Sequence, residues 1–252
     1  MIVLVTGATS GFGLAITRRF IGAGAKVIAV GRRADRLRAI GDELGEALLP
    51  LALDVGDGDA VKAALEGLPG PFAEVDLLVN NAGLALGLEP ADRASLDDWR
   101  TMVDVNINGL LYVTRALLPG MVARGRGHIV NLGSVAASYP YPGANVYGAT
   151  KAFVRQFSLN LRADLAGRAV RVTDLEPGLS GGTEFSNVRF HGDDQRAAAL
   201  YKDVQPLTPE DIAEAVFWVA NLPAHVNINT LEIMPTCQAP GPFQVVRDAP
   251  AR

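Results

Sequence analysis

Short apolar runs alternate with longer helical patterns along almost the whole chain, and no other feature limits its fold so sharply. The runs are Ile2 to Thr6, Lys26 to Gly31, Leu48 to Leu53, Leu77 to Asn80, His128 to Leu132, Val170 to Glu176 and Thr230 to Met234. They are rich in Val, Ile and Leu with little polar alternation, the pattern of parallel strands covered on both faces. Between them lie helix-like segments at Gly13 to Ala23, Arg33 to Leu44, Asp57 to Leu68, Leu96 to Val122, Ala144 to Ala166 and Pro209 to Asn221. Asp57 and Thr208 suit N-cap positions, and Pro209 suits the first helical position. This alternation predicts an α/β fold, a doubly wound parallel sheet of seven strands flanked by helices and joined by right-handed crossovers.

No linker, repeat or low-complexity segment divides residues 1–252, so one domain is predicted. Two regions break the rhythm. The stretch at about 179–206 has no clear period, and loops of that length are usually lids or disordered stretches; it is read as a lid. The tail at about 235–252 carries four prolines and cannot be a regular helix.

Composition narrows the function. Apolar residues make up 49% and charged residues 20% of the chain, and the formal net charge is -4. Lys and Arg form no block or stripe, so neither nucleic acid nor an anionic membrane surface is an expected partner. No apolar run approaches the roughly 20 residues that cross a bilayer. The lone cysteine, Cys237, excludes an intrachain disulfide and a cysteine-rich metal site, and no metal is expected. The first residues have no basic leader region and run straight into a glycine turn, so a cytoplasmic location is expected.

That turn, Thr6-Gly7-Ala8-Thr9-Ser10-Gly11-Phe12-Gly13, joins the first strand to the first helix. Glycines let backbone approach a pyrophosphate, and the helix directs free N–H groups and its positive end toward it. Its place at the carboxyl end of the first strand predicts a Rossmann-type dinucleotide site, although the spacing is G-x-x-x-G-x-G and not G-x-G-x-x-G. The second strand ends Val30-Gly31-Arg32-Arg33 with no carboxylate for a ribose 2′-hydroxyl; Asp35 comes later, inside the next helix. Two guanidiniums suit a 2′-phosphate, so NADP is favoured over NAD, with Thr9 and Ser10 as further hydroxyl donors.

Other polar residues gather at the same sheet rim. Asn80-Asn81-Ala82-Gly83 follows the fourth strand, Gly133-Ser134 ends the fifth, and Asn106 and Asn108 interrupt an apolar helical run. Tyr147 and Lys151 are four residues apart and share one helix face. On the same segment Phe153 and Phe157 read as packing residues.

Together these motifs resemble the short-chain dehydrogenase/reductase family over nearly the full chain: TGATSGFG at Thr6 to Gly13, NNAG at Asn80 to Gly83, N-x-x-G at Asn106 to Gly109, Ser134, YGATK at Tyr147 to Lys151, and Pro177-Gly178. The resemblance implies a catalytic tetrad of Asn106, Ser134, Tyr147 and Lys151. It also implies Asp54 and Val55 at the adenine, Asn81 near the ribose, Ala82 and Gly83 among the cofactor-binding residues, and Pro177, Gly178, Thr183 and Phe185 along the nicotinamide. Ser138, Tyr139, Tyr141 and Asn108 lie nearby without the family spacing.

Segments such as VNNAGLALG, YGATKAFVRQFSLNLR, EPGLSGGTEFSNVRF and LPAHVNINTLEIMP are similar to the NADP-dependent 3-hydroxy acid dehydrogenases of that family, also described as serine or allo-threonine dehydrogenases and malonic semialdehyde reductases. This resemblance implies hydride transfer between small 3-hydroxy acids and their 3-oxo acids, and a homotetramer. In the implied chemistry Tyr147 is the acid/base, Lys151 stabilises its phenolate and holds the ribose hydroxyls, Ser134 fixes the substrate oxygen, and Asn106 completes a proton path through water. A 3-hydroxy acid needs a cation for its carboxylate; Arg189 is the first candidate and Lys202 the second. The same tetrad also serves reductases of ketones, sugars or steroids, and an NADP-sensing module without turnover is the reading from another class.

Overall fold

A computed structural model describes residues 1–241; of the tail expected at 235–252, the part beyond Gly241 lies outside the described residues. The strands are β1 (Ile2–Thr6), β2 (Lys26–Gly31), β3 (Leu48–Ala52), β4 (Leu77–Asn80), β5 (Gly127–Leu132), β6 (Val170–Pro177) and β7 (Thr230–Ile233). The helices are α1 (Gly11–Gly22), α2 (Ala34–Leu44), α3 (Gly58–Glu66), α4 (Leu96–Val103), α5 (Gly109–Arg124), α6 (Asn145–Asp164), α7 (Phe185–Arg189), α8 (Asp194–Ala199) and α9 (Pro209–Ala220). All neighbouring strands run parallel in the order β3-β2-β1-β4-β5-β6-β7, a Rossmann-type doubly wound sheet. The order reverses between β1 and β4, which opens a crevice at their carboxyl ends.

Alternation along β1 shows how the two layers are filled. Val3 and Val5 join Ile16, Phe20, Ile212 and Val216 in the layer of α1 and α9. Leu4 points the other way, to Leu78, Val113, Met121 and Leu161 in the layer of α3, α5 and α6. Each such side chain fully removed from water contributes about 1.5–3 kcal/mol. Phe20 and Phe217 meet edge to face at 5.3 Å and tie α1 to α9. The expected caps form: Asp57 accepts from the Ala60 N–H, and Thr208 and Asp211 make a reciprocal capping box with Pro209 at the first position.

The strands follow the sequence reading to within one residue at each end. The long helix expected at Leu96 to Val122 does not form as one α-helix. A π-helical turn at Asp104–Asn108 separates α4 from α5. Buried Asn106 lies in that turn, where it bonds across to Leu84 rather than facing solvent. Such inserted turns are frequent at functional sites.

Candidate active site

The glycine turn is fastened to the next strand across the crevice. Thr6 Oγ1 accepts from the Asn81 N–H at 3.0 Å and the Ala82 N–H at 2.9 Å, while Asn81 Nδ2 donates to Thr6 O at 2.8 Å. Gly7 has φ +67°, a left-handed conformation that disfavours a side chain. A Cβ on Gly13 would run into the Gly7 carbonyl and stand 2.6 Å from Asn81 Nδ2. The bare approach of α1 to the turn therefore depends on glycine. Ser10, the N-cap of α1, makes no side-chain cap bond, so the first N–H groups of the helix are not spent on it.

Beside the turn, Arg33 is held on several sides. Its Nε and Nη2 donate to Thr9 Oγ1 at 3.1 and 2.7 Å, Nη2 donates to Ser10 Oγ at 2.9 Å, and Nη1 pairs with Glu184 at 2.7 Å. Arg36 reaches the second Glu184 oxygen at 2.8 Å. Hydrogen bonds from Arg33 and Arg36 hold the Glu184 carboxyl down to about 2. Arg32 stands exposed on the same rim, and exposed Asp54 and buried Val55 form the next part of the wall.

From this rim a cleft of about 630 Å³ runs to the first turns of α6. It is lined by Gly7, Thr9, Ser10, Gly11 and Phe12 at one end and by Ser134, Tyr147, Lys151 and Arg189 at the other. Gly13 supports the turn from behind and is not part of the lining. Tyr147 and Lys151 are both buried. Burial pushes the Tyr147 phenol up to about 12; a hydrogen bond with Ser134 and the charge of Arg189 act the other way. Lys151 Nζ donates to Leu132 O at 2.7 Å and lies 5.9 Å from the Tyr147 ring centre. Burial lowers its pKa to about 8, opposed by the charge of Asp174. Ser134 is buried, and its Oγ accepts from the Ala136 N–H at 3.1 Å.

Asn106 stands apart in one respect. Its Oδ1 accepts from the Leu84 N–H, and its Nδ2 donates to Leu84 O and Thr150 Oγ1, all at 2.9 to 3.0 Å. Both ends of its amide are thus occupied by protein. The side chain clamps the Gly83–Leu84 wall to α6, and its amide donors are not free for a water. Asn108, the neighbouring amide, turns to Asp104 on the exposed side.

The far wall comes from the 179–206 segment, which contains the short helices α7 and α8 instead of irregular chain throughout. Phe185 meets Tyr147 edge to face at 5.8 Å, and Thr183 packs against Gly11. Arg189, in the last turn of α7, is buried; its Nη2 donates to Tyr141 Oη at 2.6 Å, and its Nε has no partner among the described residues. The Arg189 guanidinium lies 5.3 Å from the Tyr147 ring centre. Lys202, the second candidate, is exposed and not part of the lining. Phe153 and Phe157 are half-buried and stacked at 5.9 Å, away from the cleft.

Several lining residues escape sequence reasoning. Tyr141 lies outside the motif spacing, Glu184 and Tyr201 sit in an aperiodic segment, and Gln238 comes from the tail. Gln238 Oε1 accepts from the Leu179 N–H at 2.6 Å and packs on Gly178, so the tail's first residues back the strip that starts at Pro177. Asp174 and Glu176 were legible in one way: both are acids in a strand whose other residues predict burial on both faces.

Among the described residues no helix is long and apolar enough to cross a membrane, and no group of three or more His, Cys, Asp or Glu is placed to hold a metal ion. A family model described as short chain dehydrogenase matches residues 1–193. The chain is 65% identical over 239 residues to the NADP-dependent 3-hydroxy acid dehydrogenase YdfG of Salmonella typhi, covering 95% of this chain and 96% of that one. It is 55% identical over 247 residues to the serine 3-dehydrogenase of Agrobacterium fabrum, covering 98% of each. A solved structure of the closed form of serine dehydrogenase complexed with NADP+ superposes with a TM-score of 0.97 at 63% identity, covering 98% of this chain and all of that one.

Proposed function

The chain belongs to the short-chain dehydrogenase family, and from that premise we propose that it is an NADP-dependent oxidoreductase interconverting small 3-hydroxy acids with their 3-oxo acids. Serine, allo-threonine and 3-hydroxypropionate represent the substrate class. The observation that carries this reading is the continuity of one cleft from an arginine rim to a buried tyrosine, lysine and arginine. A dinucleotide phosphate fits the first end. The turn at Gly7 to Gly13 has no side chain where backbone must come close, and Arg33 with Thr9 and Ser10 forms a donor cluster suited to a 2′-phosphate.

Bound NADP supplies the hydride acceptor in oxidation and, reduced, the donor. The residues of the chain do the rest. Gly11, Phe12, Asp54, Val55, Asn81, Ala82 and Gly83 form the cofactor walls, and Pro177, Gly178, Thr183 and Phe185 complete them beside the reacting end. Tyr147 takes the hydroxyl proton in oxidation and returns one in reduction. A phenol raised by burial to about 12 needs help to lose its proton near neutrality. The Lys151 ammonium one helical turn away gives it, and Ser134 donates to the same oxygen centre and orients the substrate. Asn106 keeps the Gly83–Leu84 wall in register with α6.

Arg189 takes the substrate carboxylate. A buried guanidinium beside Tyr147, its Nε unpartnered among the described residues, has a bond left to make, and an anionic substrate supplies its acceptor. Uncharged ketones, sugars or steroids would offer it only a weaker, uncharged acceptor. The segment at about 179–206 acts as the lid of the cleft, and 1–252 works as one catalytic domain. A cytoplasmic homotetramer completes the reading, with exposed Tyr112 on α5 and Leu159 on α6 as apolar faces available for contacts between copies.

A spectrophotometric panel tests the whole. NADP reduction is followed with serine, allo-threonine, 3-hydroxybutyrate and 3-hydroxypropionate, NADPH oxidation with the oxo forms, and both are repeated with NAD. Turnover of acids with NADP preferred is expected. Preference for NAD, or for uncharged alcohols, overturns it.

A further inference from the structure

The chemistry above leaves two buried acids unused. Asp174 and Glu176 are side chains of β6, with 0% and 1% of their surface exposed. Two residues apart on a strand, they point to one face. From α6, which packs on β6, Lys151 and Arg155 bring cations spaced by one helical turn. Arg155 Nε lies 3.6 Å from Glu176 Oε1, and the same guanidinium bonds Ser138. From β7, Glu232 is the register partner of Glu176 and accepts from Tyr139 Oη at 3.3 Å. The β5 partner of Asp174 is Asn131, which does not titrate.

Asp174 is coupled to the catalytic lysine through adjoining residues. Lys151 Nζ bonds Leu132 O, and the next residue, Gly133, packs so tightly on the Asp174 carboxyl that a Cβ there would overlap it. Among the described residues neither oxygen of Asp174 accepts a hydrogen bond, and Glu176 Oε1 has only the long ion pair with Arg155. Two ionised carboxylates in that state would carry a heavy desolvation cost, which a single proton shared between them removes. Burial and the neighbouring Glu176 push Asp174 up to about 8, while burial lowers Lys151 to about 8; the charge of each opposes the shift of the other.

We propose that Asp174, tuned by Glu176, is a positioning residue for the reaction, keeping the Lys151 ammonium charged beside Tyr147. The proposal rests on the assignment of Lys151 to the chemistry given above. As pH rises, Asp174 gives up its proton and its new charge retains the proton of Lys151. Without Asp174, the buried lysine becomes neutral at lower pH. Without the charge of Glu176, Asp174 ionises earlier and Lys151 stays charged to higher pH. The two substitutions therefore act in opposite directions, which a loss of packing does not.

The chain has four lysines, at 26, 62, 151 and 202, so the titration of Lys151 can be followed by its 13Cε chemical shift in lysine-labelled protein. Asp174→Asn is expected to lower the Lys151 midpoint by about one pH unit and Glu176→Gln to raise it. The alkaline limb of kcat/KM for NADP-dependent serine oxidation is expected to move with it. Melting temperature and NADP titration establish that each variant is folded, and Glu176→Gln alone decides if Asp174→Asn does not fold. A midpoint unmoved, or moved the same way in both variants, overturns the proposal. A moved midpoint in a protein that turns over no 3-hydroxy acid overturns the functional reading and leaves the coupling standing.

Discussion

Glu184 Oε2 lies 2.7 Å from Arg33 Nη1, so the 179–206 segment reaches across to the cation just after β2. An anion arriving at Arg33 meets a carboxylate already there. Arg33→Met is expected to weaken NADP binding by about 10- to 100-fold, the scale of lost charged hydrogen bonds, and to leave NAD nearly unchanged. Glu184→Gln is expected to tighten NADP by up to about 5-fold relative to NAD, since exposed ion pairs contribute at most about 1 kcal/mol. Fluorescence titration of both variants with both dinucleotides checks this, and a parallel loss of NAD and NADP in Arg33→Met contradicts it.

Removing the phenol oxygen separates chemistry from binding. Tyr147→Phe keeps the ring that meets Phe185 and is expected to lower kcat by at least 100-fold with NADP affinity within about 3-fold of the parent. Undiminished turnover would remove Tyr147 from the acid-base role.

Beside the same ring, 5.3 Å from its centre, the Arg189 guanidinium is tested through charge. Arg189→Met is expected to raise KM for 3-hydroxy acids by about 10- to 100-fold, and far less for an uncharged alcohol of equal size. Equal effects on the two substrates exclude it as the carboxylate partner.

Acid stability follows from His128. Its ring is buried, bonded through Nε2 to Thr173 Oγ1 at 2.9 Å, and burial lowers its pKa to about 3. Between that value and the ordinary one near 6.5, the unfolded chain binds a proton that the folded chain refuses, so stability falls as pH falls through this window. The contribution approaches about 1.4 kcal/mol per pH unit. Urea midpoints at pH 7, 6 and 5 are expected to fall more steeply for the parent than for His128→Gln; matching slopes would count against the assignment.

Much of this is legible in the sequence, and the physical reason differs from part to part. Strands such as β1 and β2 are read from local apolar runs, and caps such as Asp57 and Thr208 from chemistry within three residues. The glycine turn, Ser134, Tyr147 and Lys151 are recognised because their spacing is fixed by the strand and helix that carry them. What escaped depends on distant packing. The break in the helix after Val103 follows from the bonds of Asn106 to Leu84, 22 residues away. Glu184 and Gln238 join the cleft through the way the 179–206 segment and the residues after β7 lie across it, and Tyr141 through the loop before α6, which no local period encodes.

The bond between Thr6 and Asn81 spans 75 residues, and that between Leu179 and Gln238 spans 59. During synthesis the glycine turn can be tied to β2 by the bond of the Ala8 N–H to Val30 O, but its tie across the crevice waits for the fourth strand. The strip beside the reacting end waits longer still, for the residues after the seventh strand. The recognisable motif is thus made well before the chain has a place to hold a dinucleotide.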